Sequence, residues 1–357
     1  MTSLDGRRTT HRGTEALRKL FGFLCVSVPL CVVFRYRLAA AVIAIASAFV
    51  VGTTTSGQGQ PAQQPAQPLP ADAPFTVAVA TSTLEAAPVY LAVARGGSAN
   101  FRFINGGVRS LLNGGAHGAT NAETQMLLAI DANPRIRMLF TLTDGLYRIV
   151  AKRSAGIHTI ADLKGKRVVV PRNTSAHYSL VRILASAGLQ ESDVTLVAAP
   201  ATEMALSLIR GEADAISMWE PESQNAVDSL GSDAVIFSGK GIYREGFSFY
   251  SSTDVLNDPR RRKELVAFVR AVFAAAGAIK ARPAEFFPLI SRVTKHPVDQ
   301  IARSWEHHAF PLVIPSDMLD VVTEEEKWIA KGQNRAPKTR AQLQTYFDPS
   351  IAEEARR

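Results

Sequence analysis

From Phe75 onward, short runs of β-type residues alternate with segments of helical periodicity, and this alternation restricts the body of the chain to one class of fold. "FTVAVA" precedes "EAAPVYLAVARG", "NFRFI" precedes "VRSLLNGG", "GATN" precedes "AETQMLLAID", and "RIRMLFTLT" leads into "LYRIVAKR". A second series has "KRVVVP" before "SAHYSLVRILASAG", "VTLVAA" before "ATEMALSLIRGEA", "DAISMW" before "EPESQNAVDSLG", and finally "DAVIF". Strands that alternate with helices end up in a sheet covered on both faces, which predicts an α/β architecture with mainly parallel sheets. Gly188 and Gly211 each stand just past an apolar helical stripe, where a helix C-terminus favours a residue that tolerates positive φ. After "FSFYSSTDVL" the alternation stops, and helices are predicted over 259–281, 283–293, 297–309 and 316–332. Pro283, Pro297 and Pro315 fall at or just before helix starts.

Two α/β series and a helical tail predict two lobes, the second inserted in the first. The first lobe begins over 75–150, the second occupies 151–246, and the chain returns to the first lobe with C-terminal helices over 247–345 before a tail at 346–357. A chain of 357 residues, 46% of them hydrophobic, is long enough to bury two cores. In open parallel sheets ligands bind beyond the carboxyl ends of the strands. Two facing lobes therefore surround one cleft with strand-end loops.

The N-terminus reads as an address. Apolar runs at 20–34 and 38–52 are separated by "RYR", and each is short for a membrane span of ~20 residues. The second has a basic flank, an apolar centre and small residues at its end, the layout of a secretory signal. Residues 1–52 are thus a targeting segment, or an anchor if they stay attached. The stretch 53–74 is rich in Pro, Gln and Ala and reads as an extended linker.

Several function classes drop out. The net charge of +8 owes much to arginines and lysines in the first forty residues, and no run interleaves basic with aromatic residues as a nucleic-acid groove requires. The two cysteines, Cys25 and Cys31, both lie in the first apolar run, so the body carries no thiol chemistry. "GGVRSLLNGG" lacks the spacing of a phosphate-binding loop, and there is no G-x-S-x-G nucleophile elbow. His307 and His308 are adjacent, so on a helix they point about 100° apart, and neither has a ligand partner one turn away. No metal or cofactor is expected.

The polar strand ends remain. Asn173, Thr174, Ser175 and His177 open a helix after "RVVVP"; one of them suffices as a cap, and together with the helix dipole they could also hold an anion. Trp219 and Glu220 end another strand before Pro221, as a core aromatic and a first-turn acid or as a wall and an acceptor for a ligand. In the first lobe Ser82, Thr83, Asn121, Glu123 and Thr124 occupy matching positions, and such residues also serve as ordinary turn and cap chemistry.

With these residues in view, the chain resembles the periplasmic substrate-binding proteins of ABC transporters, in the branch of aliphatic-sulfonate, taurine, nitrate and thiamine-precursor binders. The resemblance covers about 75–345 and rests on "DLKGKRVVVP", "TSAHYSL" and "RGEADAISMWEP" in order and spacing. It implies a type II binding-protein fold that closes on its ligand. By resemblance Thr174, Ser175 and His177 form the second-lobe ligand loop, Trp219 and Glu220 a tryptophan-acid-proline corner, and Ser82, Thr83, Asn121 and Thr124 the first-lobe contacts. The family usually has a longer segment where this chain has "GGSANFRFI", and an acidic turn where it has "GGAHGATN". The implied function is capture of a small solute (a sulfonate, taurine, nitrate or related) for a membrane permease and its ATPase, by an exported monomer and without catalysis. The alternatives are an enzyme of thiamine-pyrimidine or menaquinone-pathway type on the same fold, and a membrane-tethered solute sensor.

Overall fold

The computed structural model describes residues 68–97, 100–199 and 203–357; the two apolar runs and most of the linker lie outside them. Among the described residues no helix is long and apolar enough to cross a membrane.

The first lobe is built from β1 (Phe75–Val79), α1 (Ala87–Gly96), β2 (Phe101–Asn105), α2 (Val108–Leu112), β3 (Gly118–Asn121), α3 (Glu123–Ala129) and β4 (Ile136–Gly145). The second contains β5 (Arg148–Lys152), β6 (Arg167–Val169), α4 (Ser175–Ser186), β7 (Thr195–Val197), α5 (Met204–Ile209), β8 (Ala215–Met218), α6 (Glu222–Leu230) and β9 (Ala234–Ser238). The chain then returns through β10 (Glu245–Ser252), α7 (Thr253–Asn257), α8 (Pro259–Ala281), α9 (Phe287–Thr294), α10 (Val298–Ser304), β11 (His308–Ala309), α11 (Met318–Gly332), α12 (Arg340–Gln344) and α13 (Ser350–Arg356). The strand orders are β11-β4-β10-β3-β1-β2 and β7-β6-β8-β5-β9. Parallel pairing belongs to the βα units, β2–β1–β3 and β7–β6–β8. The strands that carry the chain into and out of the second lobe, β5 and β10, pair antiparallel with their neighbours, because a strand entering from the other lobe runs against the βα series.

Period-two alternation explains why both faces of each sheet are covered. On β1, Phe75, Val77 and Val79 enter a core shared with α1 and α8, and Ala78 points to the opposite core with Met126 of α3 and Val322 of α11. In the second lobe Ile149, Ala151 and Val168 face Ile183 and Leu184 of α4, whereas Val150, Val169 and Ile216 face Met204 and Leu208 of α5. Each such side chain taken from water contributes roughly 1.5–3 kcal/mol.

Both expected helix stops are Schellman turns. Gly188 (φ 74°) and Gly211 (φ 72°) take the left-handed conformation, and the N–H groups of Leu189 and Glu212 donate back to Leu184 and Ser207 carbonyls at 3.0 and 2.9 Å. The helix expected over 259–281 spans Pro259–Ala281, with Asp258 capping the N–H groups of Arg260 and Arg261. Two others divide. Pro283–Glu285 is a 3-10 turn, and a new helix starts at Phe287 with Pro288 in its first turn. The helix expected over 297–309 ends at Ser304; His308 and Ala309 instead extend to pair with Gly145 and Asp144 of β4. At the end of the chain α13 buries Ile351, Ala352 and Ala355 in the first-lobe core.

Candidate ligand-binding site at the lobe junction

The chain crosses between the lobes twice, through Leu146–Tyr147 and through 239–244. Arg244 ties the crossings together, bonding Asp144 at 2.5 Å and Asp317 at 2.7 Å. The lobes touch on both sides of these crossings. Gln125 Nε2 donates to the Asn173 carbonyl at 3.0 Å, and Arg303 Nε to Asp228 at 2.9 Å.

At the crossings, hydroxyls meet carboxylates out of reach of water. The Tyr147 hydroxyl donates to Glu245 Oε1 at 2.8 Å and lies 2.6 Å from Ser175 Oγ at the start of α4. Tyr243 donates to Glu123 Oε1, whose other oxygen accepts from the Gly246 N–H at 2.9 Å. Gly145 lets the crossing pass close to Glu245, since a β-carbon there would lie 2.3 Å from Oε2 and the carboxyl would have to move. Glu85 enters from the β1–α1 loop. That loop is held by Tyr90, which donates to the Ala80 and Thr83 carbonyls, and by Thr143, which donates to the Glu85 carbonyl at 2.6 Å.

Burial governs the ionisation of these acids. It pushes Glu85 up to about 7, helped by the negative charge of Glu220. It raises Glu245 further, with Glu85 and Glu123 adding repulsion. Glu123 and Glu325 are also raised by burial, against hydrogen bonds that favour their charged forms. Glu85, Glu245 and Glu325 each keep one buried oxygen, Oε2, without a hydrogen-bond partner.

The residues singled out in the sequence fall into three groups. Ser175, Thr83 and Glu220 lie near the crossings: Ser175 joins Tyr147 and Glu245, and Thr83 turns its hydroxyl back to the Ala80 carbonyl at 3.0 Å. Glu220, buried, forms a pair with Arg148 at 2.5 Å, and burial raises it while Arg148 opposes the rise. Trp219, half-buried, packs between the two second-lobe cores. A second group shapes local structure. Thr174 caps α4 and donates to the Pro171 carbonyl at 2.7 Å, Asn121 Oδ1 accepts from the Val108 N–H at the start of α2, and Thr124 donates to Glu325 at 2.6 Å. Ser82 is exposed, its carbonyl bonded to His296. His177 stands apart. Its ring meets Trp328 edge-on at 5.1 Å, Nδ1 accepts from the Asn173 N–H, and Nε2 lies 3.2 Å from Glu191 in ion-pair range but without a directed hydrogen bond. Burial lowers its basicity, and the ring borders a groove of about 1010 Å³ shared with Arg172, Glu191 and Trp328.

Five further residues, Glu85, Tyr147, Arg148, Tyr243 and Glu245, build the junction. For Tyr147, Arg148, Tyr243 and Glu245 the signal was the density of Tyr, Glu and Arg in "DGLYR" and "IYREGF", where the chain changes lobe; Glu85, in "TSTLEAAP", carried no such signal.

Comparison with known proteins agrees with this architecture. A family model described as NMT1/THI5 like matches residues 105–286, half of the chain. An aliphatic sulfonates-binding protein of Escherichia coli (strain K12) is 26% identical over 160 residues, which cover 44% of this chain and 49% of that one. The chain thus matches about half the length of this curated relative. The alkanesulfonate-binding protein SsuA from Xanthomonas axonopodis pv. citri superposes with a TM-score of 0.61 at 18% identity, over 77% of this chain and 98% of SsuA. The periplasmic nitrate-binding protein NrtA from Synechocystis PCC 6803 gives 0.62 at 16% identity, over 80% and 89%. The desulfurization enzyme DSZB has the same fold at a TM-score of 0.54 and 14% identity, over 79% and 98%. The fold is that of the SsuA- and NrtA-type periplasmic binding proteins, and the chain belongs to the NMT1/THI5-like family.

Proposed function

We propose that the protein is the exported, monomeric solute-binding component of an ABC importer, and that its lobes close on one small solute at the junction before a membrane permease and its ATPase take the solute over. The observation that supports this most is the set of buried, incompletely paired polar groups where the two lobes meet. Unpaired polar atoms in a core cost roughly 1–3 kcal/mol each, and a bound solute offsets that cost. The two-lobed design also supplies a readout. A solute touching both lobes favours the closed state, and the closed state is what a permease distinguishes.

Sulfonates, taurine, nitrate and related solutes are the candidates that the family carries to this chain. Purified protein titrated with ethanesulfonate, taurine, nitrate and an aminopyrimidine should show a saturable rise in melting temperature with at least one of them. A flat response to every member of the panel contradicts the reading. The leader at 1–52, outside the described residues, is proposed to direct export; N-terminal sequencing of the secreted protein should find a start near residues 49–60, and an intact leader would instead make the protein membrane-anchored.

A further inference from the structure

The charge balance of the junction narrows the solute. Two arginines flank the junction, and both guanidiniums are already matched: Arg148 bonds Glu220 at 2.5 and 2.8 Å and Gln224 at 3.1 Å, and Arg244 bonds Asp144 at 2.5 Å and Asp317 at 2.7 Å. Glu85 and Glu245 have no such partner. The two residues are 2% and 3% exposed, and each leaves Oε2 without a donor. Tyr147, Ser175 and Thr143 satisfy only Glu245 Oε1 and the Glu85 backbone. Two carboxyl groups therefore sit where the lobes meet, short of hydrogen-bond donors and with no free positive charge beside them. Burial without a cation raises both acids, so they keep their protons near neutral pH, and a nitrate or a simple sulfonate supplies no positive charge that would pair with their ionised forms. A protonated nitrogen brings what is missing.

We propose that the solute held at this junction is a small organic cation, whose protonated nitrogen donates to Glu85 and Glu245. This rests on the solute-binding reading above and specifies its ligand. The hydrogen bonds from Tyr147 and Ser175 fix the Glu245 carboxyl from the second lobe, and the β1–α1 loop presents Glu85 from the first. One nitrogen with two or three N–H groups bridges these two first-lobe carboxyls, and the second lobe reaches the same place through Ser175 on Glu245. An ammonium alone suffices; a zwitterion such as taurine satisfies the same requirement through its nitrogen.

Three-carbon probes that differ only at one end test this by calorimetry: propylammonium, propanol and propanesulfonate, with taurine and its hydroxyl analogue isethionate as a second matched pair. The expected result is that propylammonium binds and the other two do not, and that taurine binds at least ~10-fold more tightly than isethionate, as expected for a buried charged partner. Glu85→Gln and Glu245→Gln should each weaken the nitrogen-bearing probes by ~10-fold or more, with circular dichroism confirming the fold. The ratio between matched probes in the unaltered protein needs no variant and remains valid if either substitution fails to fold. Tight binding of propanesulfonate or isethionate, unchanged or strengthened in the Gln variants, overturns the cation proposal and leaves the solute-binding function standing. If neither class binds, both fail.

Discussion

Replacing Glu85 by Gln should stabilise the protein above neutral pH and leave it unchanged in mild acid. Burial lifts the folded-state Glu85 to about 7 from an ordinary 4.5. The folded protein therefore holds a proton that the unfolded chain releases between these values, and stability falls as pH rises through this window. Two and a half pH units correspond to roughly 3 kcal/mol, reached in full only above about pH 7. That figure is an upper bound, since opening of the lobes hydrates the carboxylate and relieves part of the cost. Gln carries the shape of the protonated acid without the titration. In a chain of this size the variant should melt up to roughly 5 °C above the parent at pH 8, with the gap narrowing as the pH falls to 5. Calorimetric melting curves of both proteins between pH 5 and 8.5 check this. A gap that is independent of pH, or a variant less stable than the parent at pH 8, refutes the claim that Glu85 is buried without a charge partner.

Other substitutions probe the neighbours. Arg148→Met should destabilise the fold by about 3–5 kcal/mol because it leaves Glu220 buried and unpaired, and adding Glu220→Gln should recover much of the loss; denaturant titration of the single and double variants measures both. Thr174→Ala removes the cap of α4 and should cost about 1 kcal/mol in the same assay, with the Ser175–Tyr147–Glu245 contacts unaffected.

How far the sequence reveals this molecule depends on the range of the interactions involved. Strand and helix alternation is local, and so are the Schellman glycines at Gly188 and Gly211; both follow from a few adjacent residues. The break at Ser304 is not local, because His308 and Ala309 extend in order to pair with β4, more than 150 residues earlier. The site follows the same logic. Thr174 is legible as a cap because its partner is three residues away, whereas Glu220 is defined by Arg148 across 72 residues. Ser175 was legible as a polar strand-end residue, but its partners Tyr147 and Glu245 lie at the two crossings, 28 and 70 residues away. His177 shows the reverse. Its position at a helix start suggested a ligand contact, and its direction along the helix turns the ring toward Trp328.

The central claim is that a solute at the junction holds the lobes together. Fluorescence transfer between one dye on each lobe tests it, with labels at Lys164→Cys and Lys263→Cys, both exposed sites, in a chain with Cys25 and Cys31 replaced by Ser. Saturable binding of a solute should shift the transfer efficiency to a single closed value, with a midpoint equal to the calorimetric dissociation constant. Tight binding that leaves the distance between the dyes unchanged would contradict the account.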